Sequence, residues 1–170
     1  MKFKSASIFA SVLLLGLSNS VWSQFAVDEP EWKESDIPPP PAFDAGKLIG
    51  LDVSPNSSLN YGVDPASISI TKSDGVVRYV MVATSASGAR NVMYEGIRCS
   101  TGEFKTYARY SVDGKWIPVS NPEWRSMFGN MPLKHPLRLA KAGGCDNAAP
   151  ASSVKEIINQ LKNPNYRVTP

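Results

Sequence analysis

Apolar and polar residues alternate with period two through the middle of the chain and with period 3.6 near its end. The segments "SISIT" (67–71), "VVRYVMVAT" (76–84), "RNVMYEGIRC" (90–99), "FKTYARYSV" (104–112) and "KWIPV" (115–119) read as strands, and "KLIGLDV" (47–53) is an earlier candidate. Asp74-Gly75, "SASG" (85–88), "STGE" (100–103) and Asp113-Gly114 separate the strands from 67 onward. Loops this short join antiparallel neighbours, so the run is a meander. In "SSVKEIINQLKNP" (152–164), Val154, Ile157, Ile158 and Leu161 make one apolar helical stripe. Ser153 with Glu156 is a capping box and Pro164 stops the helix. A weaker helix is expected over Leu137–Ala142, closed by Gly143 and Gly144. The predicted class is α+β, mainly antiparallel β: a meander of about four to five strands with a C-terminal helix packed on one face.

Centring the hairpins on their loops gives a register. Val80 faces Met93, Val76 faces Ile97 and Arg78 faces Glu95. In the next hairpin Cys99 faces Phe104, Ile97 faces Thr106 and Glu95 faces Ala108. One face then carries Val76, Val80, Val82, Met93, Ile97, Cys99, Phe104, Ala108 and Tyr110, and the helix stripe should cover it. Arg78 and Glu95 fall on this apolar face as a cross-strand ion pair. A carboxylate with an Arg partner stays ionised, which suits structure better than general acid work. The opposite face carries Tyr79, Tyr94, Arg98, Lys105, Tyr107 and Arg109, and is aromatic and basic. Tyr79, Tyr94, Arg98, Tyr107 and Arg109 form a candidate binding face, since aromatic and Arg side chains are favoured contact types. Gly96, in mid-strand, predicts a bulge or a close approach by a neighbour such as Tyr107.

The N-terminus changes where this domain is expected to work. "MKFKSASIFASVLLLGLSNSVWSQ" has a positive start at Lys2 and Lys4, a short apolar core, and small residues at Val21 and Ser23. That is the pattern of a signal peptide cut between Ser23 and Gln24. The apolar run is shorter than the roughly 20 residues of a membrane span, and no Cys stands at the cut to carry a lipid. Loss of Lys2 and Lys4 takes the formal charge from +3 to +1, so the basic balance gives no argument for nucleic acid. The expected organisation is a signal peptide (1–23), an extended acidic and Pro-rich segment (24–45), one globular domain (46–163) and a tail (164–170). Pro38–Pro41 should hold polyproline II, as a stiff spacer or as a ligand for a partner's aromatic groove. Trp32 and Phe43 are placed to anchor the segment on the domain.

Export makes Cys99 and Cys145, the two cysteines of the chain, a disulfide pair. Such a bridge is worth on the order of 4 kcal/mol in the chain-entropy model. It would pin the start of the helical segment over the sheet face it covers. With one His, His135, and no CxxC, neither a metal site nor a redox motif is expected, and no cofactor.

The block "YGVDPASISI…DGVVRYVMVATSASGARNVMYEGIRC", with the acidic "DEPEW" start, the proline run and a late Cys, resembles the cryptic neisserial protein 1-like family. The resemblance covers nearly all of the chain after the signal. It implies an exported, periplasmic or envelope protein of a Gram-negative bacterium, with no catalytic residues to carry over. Many members of that family look like lipoproteins, and the missing Cys sets this chain apart from them. The favoured function is therefore non-catalytic, with an envelope protein or a ligand bound through the Tyr/Arg-rich face. Two alternatives stand beside it: a periplasmic hydrolase with an unrecognised site, and an accessory subunit docking through its proline run. A hydrolase needs an activated nucleophile or paired carboxylates in a cleft. Ser85 and Ser87 lack the strand-to-helix elbow of a nucleophilic serine.

Overall fold

A computed structural model describes residues 31–129 and 133–163. The expected cut between Ser23 and Gln24 and the 164–170 tail lie outside the described residues. The strands are β1 (Ile49–Leu51), β2 (Leu59–Val63), β3 (Ser69–Thr71), β4 (Val76–Ser85), β5 (Arg90–Arg98), β6 (Glu103–Tyr110), β7 (Trp116–Pro118), β8 (Arg125–Ser126), β9 (Cys145–Asp146) and β10 (Ala149–Pro150). Two helices follow the sheet's last strand, α1 (His135–Leu139) and α2 (Val154–Lys162), and β9 and β10 lie between them. The class is α+β with a mainly antiparallel sheet, as the periodicity predicts.

The main sheet runs β1-β2-β4-β5-β6-β7, with β3 also on β4 and β8 also on β6. Among the described residues it has eight strands rather than four or five. The difference arises because β4 and β6 are long enough to take two partners end to end. Val76–Arg78 pair with β3, and Met81–Ser85 pair with β2. Asp64 builds the step between those two partners. Its Oδ1 accepts from the Ala66 N–H (3.0 Å) and its Oδ2 from the Asp44 N–H (3.1 Å). Ser67 Oγ donates to the Asp64 carbonyl (2.6 Å) and accepts from the Val80 N–H (2.8 Å).

The β4–β5 register differs by one residue from the expected one. Arg78 faces Gly96, Tyr79 faces Glu95 and Val80 faces Tyr94. The cause is the loop. Ser85 N–H donates to the Ala89 carbonyl (2.9 Å), which leaves three loop residues instead of an even number, and Gly88 takes φ +84°. Because the side-chain period is two, a slip of one moves every side chain of β4 to the other face. In the β5–β6 hairpin Ile97 faces Phe104 and Glu95 faces Thr106, two residues from the expected pairing, so the faces are kept. A bulge opposite Tyr94/Glu95 then sets Tyr94 against Ala108 and leaves Tyr107 as the extra residue. Tyr107 lies over Gly96, where a Cβ would stand 2.9 Å from both Tyr107 Cε2 and Val76 Cγ1. The glycine and the bulge thus belong to one device.

Two layers cover the sheet. On one face Val77, Tyr79, Met81, Met93, Ile97 and Phe104 form a core with Leu139 and the fully buried Ile157. The stripe of α2 packs into this core as expected, but Val80 lies on the other face because of the register. Ser153 Oγ accepts from the Glu156 N–H (3.2 Å), while the Glu156 carboxylate turns to the Ser152 N–H (3.2 Å). The weaker helix begins earlier than predicted, at His135, and ends in a wide turn over Ala140–Gly144. On the other face Val80, Val82, Val92, Tyr94, Tyr107 and Ala108 pack with Phe43, Leu48, Tyr110 and Trp116. Phe43 meets Tyr110 and Trp116 edge-on, with ring centroids 5.0 and 5.9 Å away. No helix among the described residues is long and apolar enough to cross a membrane.

Candidate functional site

The five residues of the expected binding face do not form one open surface. Tyr79 sits on the helix side and is fully buried. Arg109 is exposed at the far end of β6, within 3.4 Å of Asn91 Oδ1. Tyr94, Arg98 and Tyr107 share the opposite face with Arg78 and Lys105, but Tyr94 and Tyr107 are buried. What buries this face is the chain's own N-terminal segment. From Trp32 it runs extended, without regular secondary structure, as a strap over the sheet.

The strap is fastened by named contacts. Trp32 Nε1 donates to the Asp74 carbonyl (2.9 Å), and the Ser35 N–H donates to Asp74 Oδ2 (3.0 Å). The Arg98 guanidinium lies 3.7 Å from the centre of the Trp32 ring, and Trp124 meets that ring edge-on. Between Trp32 and Ser35 the Glu34 side chain turns down into the sheet. Its Oε1 accepts from Tyr107 Oη (2.7 Å) and lies 3.5 Å from Arg78 Nη2. Its Oε2 accepts from Lys105 Nζ (2.6 Å) and Trp124 Nε1 (3.2 Å). Four donors from β4, β6 and the chain before β8 converge on one carboxylate, whose side chain is 14% exposed. Nothing in the local sequence pattern marks Glu34 as a site residue. Its only signal was its place two residues after Trp32 in an acidic segment facing a basic strand pattern.

Arg78 and Glu95 do not pair. The one-residue shift puts them on opposite faces, and each has other partners. Arg78, fully buried, binds Asp74 Oδ2 through Nη2 (2.8 Å) and Thr71 Oγ1 through Nη1 (2.6 Å). Burial disfavours the charge on both members of this pair, yet their mutual contact prevails. Asp74 is held below the usual carboxylate range, with the Val76 and Ser35 N–H groups helping, and Arg78 is held above its ordinary value.

Glu95 lies on the helix side, fully buried, and gathers Tyr79 Oη (3.1 Å), Thr106 Oγ1 (3.0 Å) and His135 Nε2 (2.8 Å). The Tyr61 ring stacks on His135 with centroids 5.2 Å apart. His135 Nδ1 is buried with no hydrogen-bond partner among the described residues. A neutral ring with its proton on Nε2 suits this setting, because an unpaired lone pair is better tolerated than an unpaired N–H. Burial pushes the Tyr79 hydroxyl well above its ordinary value, and the Glu95 charge adds to the push. The Tyr107 hydroxyl is raised likewise by burial and by its bond to Glu34. The Glu95–His135 contact has the composition of an acid–base pair, but neither side chain is exposed at all.

Cys99 and Cys145 join the layers. Their sulfurs stand at disulfide distance, 1.97 Å, with Cα atoms 5.7 Å apart. Cys99 follows β5 and Cys145 starts β9, so the bond ties the helical layer to the central strand. Among the described residues no group of His, Cys, Asp and Glu side chains is arranged to hold a metal ion.

The family model described as "CNP1-like family" matches residues 27–162. The chain belongs to that family. The match takes in the strap, the sheet, both cysteines and α2. The chain is also 27% identical over 157 residues to "Cryptic neisserial protein 1" of Neisseria gonorrhoeae, an alignment covering 82% of this chain and 76% of that protein. No solved structure matches it. Family membership agrees with the resemblance read from "NVMYEGIRC". That block is the second half of the central hairpin and ends in the bridged Cys99.

Proposed function

We propose that this CNP1-like protein is exported, cut between Ser23 and Gln24, and works in the periplasm or envelope as a non-catalytic binding protein. The carrying observation is the complete burial of the Glu95–His135 pair. General acid–base work requires a group within hydrogen-bond reach of a substrate proton. His135 is the single histidine of the chain, and it is sealed between Tyr61 and Glu95. A binding role is supported by the basic, aromatic face, which already holds an extended peptide in the form of the strap. The positive start, short apolar core and small residues before Gln24 support export. Fractionation followed by N-terminal sequencing tests the reading. A periplasmic protein beginning at Gln24 is expected; retention in the cytoplasm with Met1 in place would refute export.

One observation favours a second reading, docking through the proline run. Ile37, Pro38 and Pro39 are exposed, and a polyproline segment is a preformed ligand for aromatic grooves. Affinity capture from the periplasm with Pro38–Pro41 intact or replaced by Ala separates the two. A partner lost only with the prolines supports the docking reading.

A further inference from the structure

We propose that the cationic socket of Arg78, Lys105, Tyr107 and Trp124 is a recognition site for an extended peptide with an aromatic residue two positions before a carboxylate. Trp32 and Glu34 fill it in cis, and the same segment of a second copy of this chain fills it in trans. The inference rests on the binding reading above and names the partner.

The first support is the accounting of donors. If the strap leaves, Arg78 keeps Asp74 and Thr71. Lys105 Nζ, Tyr107 Oη and Trp124 Nε1 lose Glu34, their shared acceptor among the described residues. Uncovered by the strap, one cation and two further donors converge where Glu34 sat, an arrangement that matches another carboxylate. The socket also selects for the aromatic residue. The Arg98 guanidinium over the ring and Trp124 in a T-shaped contact with it form a place for an aromatic residue two positions before the carboxylate.

The second support is how the strap is connected. Its anchors are Trp32–Ser35 at one end and Phe43–Asp44 at the other. Residues 36–42 between them make no hydrogen bond or ion pair with any described residue, and Asp36–Pro39 are exposed. Prolines 38–41 have no N–H to lose. The spacer can therefore lead Trp32–Ser35 to another molecule without breaking a polar contact of its own. Seven residues of polyproline II reach roughly 20 Å, enough to cross to an adjoining domain. The exchanged contacts would be identical to those made in cis, which is what makes swapping a low-cost route to a dimer. The segment that meets all four donors of the socket is this chain's own, and a second copy carries it unchanged.

The test uses the exported chain in two variants. One carries Trp32→Ala with Glu34→Ala, so the strap is disabled and the socket kept. The other carries Lys105→Ala with Trp124→Ala, so the socket is disabled and the strap kept. Each alone should sediment as a monomer. Their mixture should give a one-to-one heterodimer that an excess of synthetic peptide of residues 31–37 disperses. The same peptide, labelled, should bind the strap-disabled variant at least about tenfold more tightly than the unaltered chain, whose own strap competes at high effective concentration. It should not bind the socket-disabled variant. If the peptide binds but the mixture stays monomeric, the second copy is overturned as the partner. If the peptide fails to bind a folded strap-disabled variant, the socket itself is overturned. Should the double substitution unfold the chain, Glu34→Gln alone carries the peptide measurement. All of these outcomes are read on purified protein and are independent of the export test.

Discussion

Glu95 and Glu34 each sit at the centre of a cluster of donors, on opposite faces of the same sheet. Glu95 belongs to the central strand, and part of its covering, His135, comes from the helical layer. That layer is bonded to the sheet through Cys99 and Cys145. Glu34 belongs to the covering itself, and most of its donors belong to the sheet. No covalent bond between side chains holds its layer down. The helix side is also sealed, with Glu95 and His135 fully buried, whereas Glu34 and Lys105 keep 14% and 11% exposure. A carboxyl group on the fixed part of a closed face serves the fold. A carboxylate on a peptide laid over the sheet reads as a ligand held in cis. The difference between the two clusters lies in which partner can leave.

The largest effect should follow Glu95→Ala. It removes the acceptor of Tyr79, Thr106 and His135 at once and leaves a cavity. The expected loss is about 3–5 kcal/mol, the scale of breaking a buried charged cluster, and denaturant unfolding measures it. A loss below about 1 kcal/mol would mean that the helix side is not the rigid face. Cys99→Ser comes next. Opening a loop of 46 residues should cost about 4 kcal/mol at most in the chain-entropy model, through a freer unfolded chain. The melting temperature should fall while the circular dichroism of the sheet stays unchanged.

Glu34→Gln should cost about 1–2 kcal/mol, since the site is partly open and the amide can still accept some of the same bonds. The sharper readout is local. Proteolysis between Trp32 and Phe43 should speed up while amide exchange in β4 and β5 keeps its protection. Equal exposure of both regions would erase the contrast between the faces. The smallest change at neutral pH is expected from Tyr79→Phe and Tyr107→Phe, each about 1 kcal/mol. Both hydroxyls are raised above their ordinary value in the folded chain. Between about pH 10 and the raised values the unfolded chain holds fewer protons, so stability present below pH 10 is lost as pH rises. Each Phe variant should flatten that alkaline decline, and an unchanged slope in urea titrations above pH 10 would contradict the assignment.

The sequence by itself determined what depends on local pattern and on composition. Alternation in "VVRYVMVAT" and "RNVMYEGIRC" marked β4 and β5, and the stripe of Val154, Ile157, Ile158 and Leu161 marked α2. Gly96 marked the place where Tyr107 comes down, and the block around Cys99 carried the family. Tertiary structure decided the rest. Whether the "SASG" loop holds an odd or an even number of residues is a small difference in turn energy, yet it moves Arg78 away from Glu95 and Tyr79 onto it. The short β2 is not legible in the sequence, because "LNYGV" has little strand signal of its own and is a strand only where the long β4 receives it. Glu95 meets His135 across 40 residues of sequence, and Glu34 meets Trp124 across 90. Each of those carboxyl groups has several acceptable partners by residue type. Which ones it meets is fixed by how the layers close on the sheet, because a buried polar group must find its donors wherever the packing brings them.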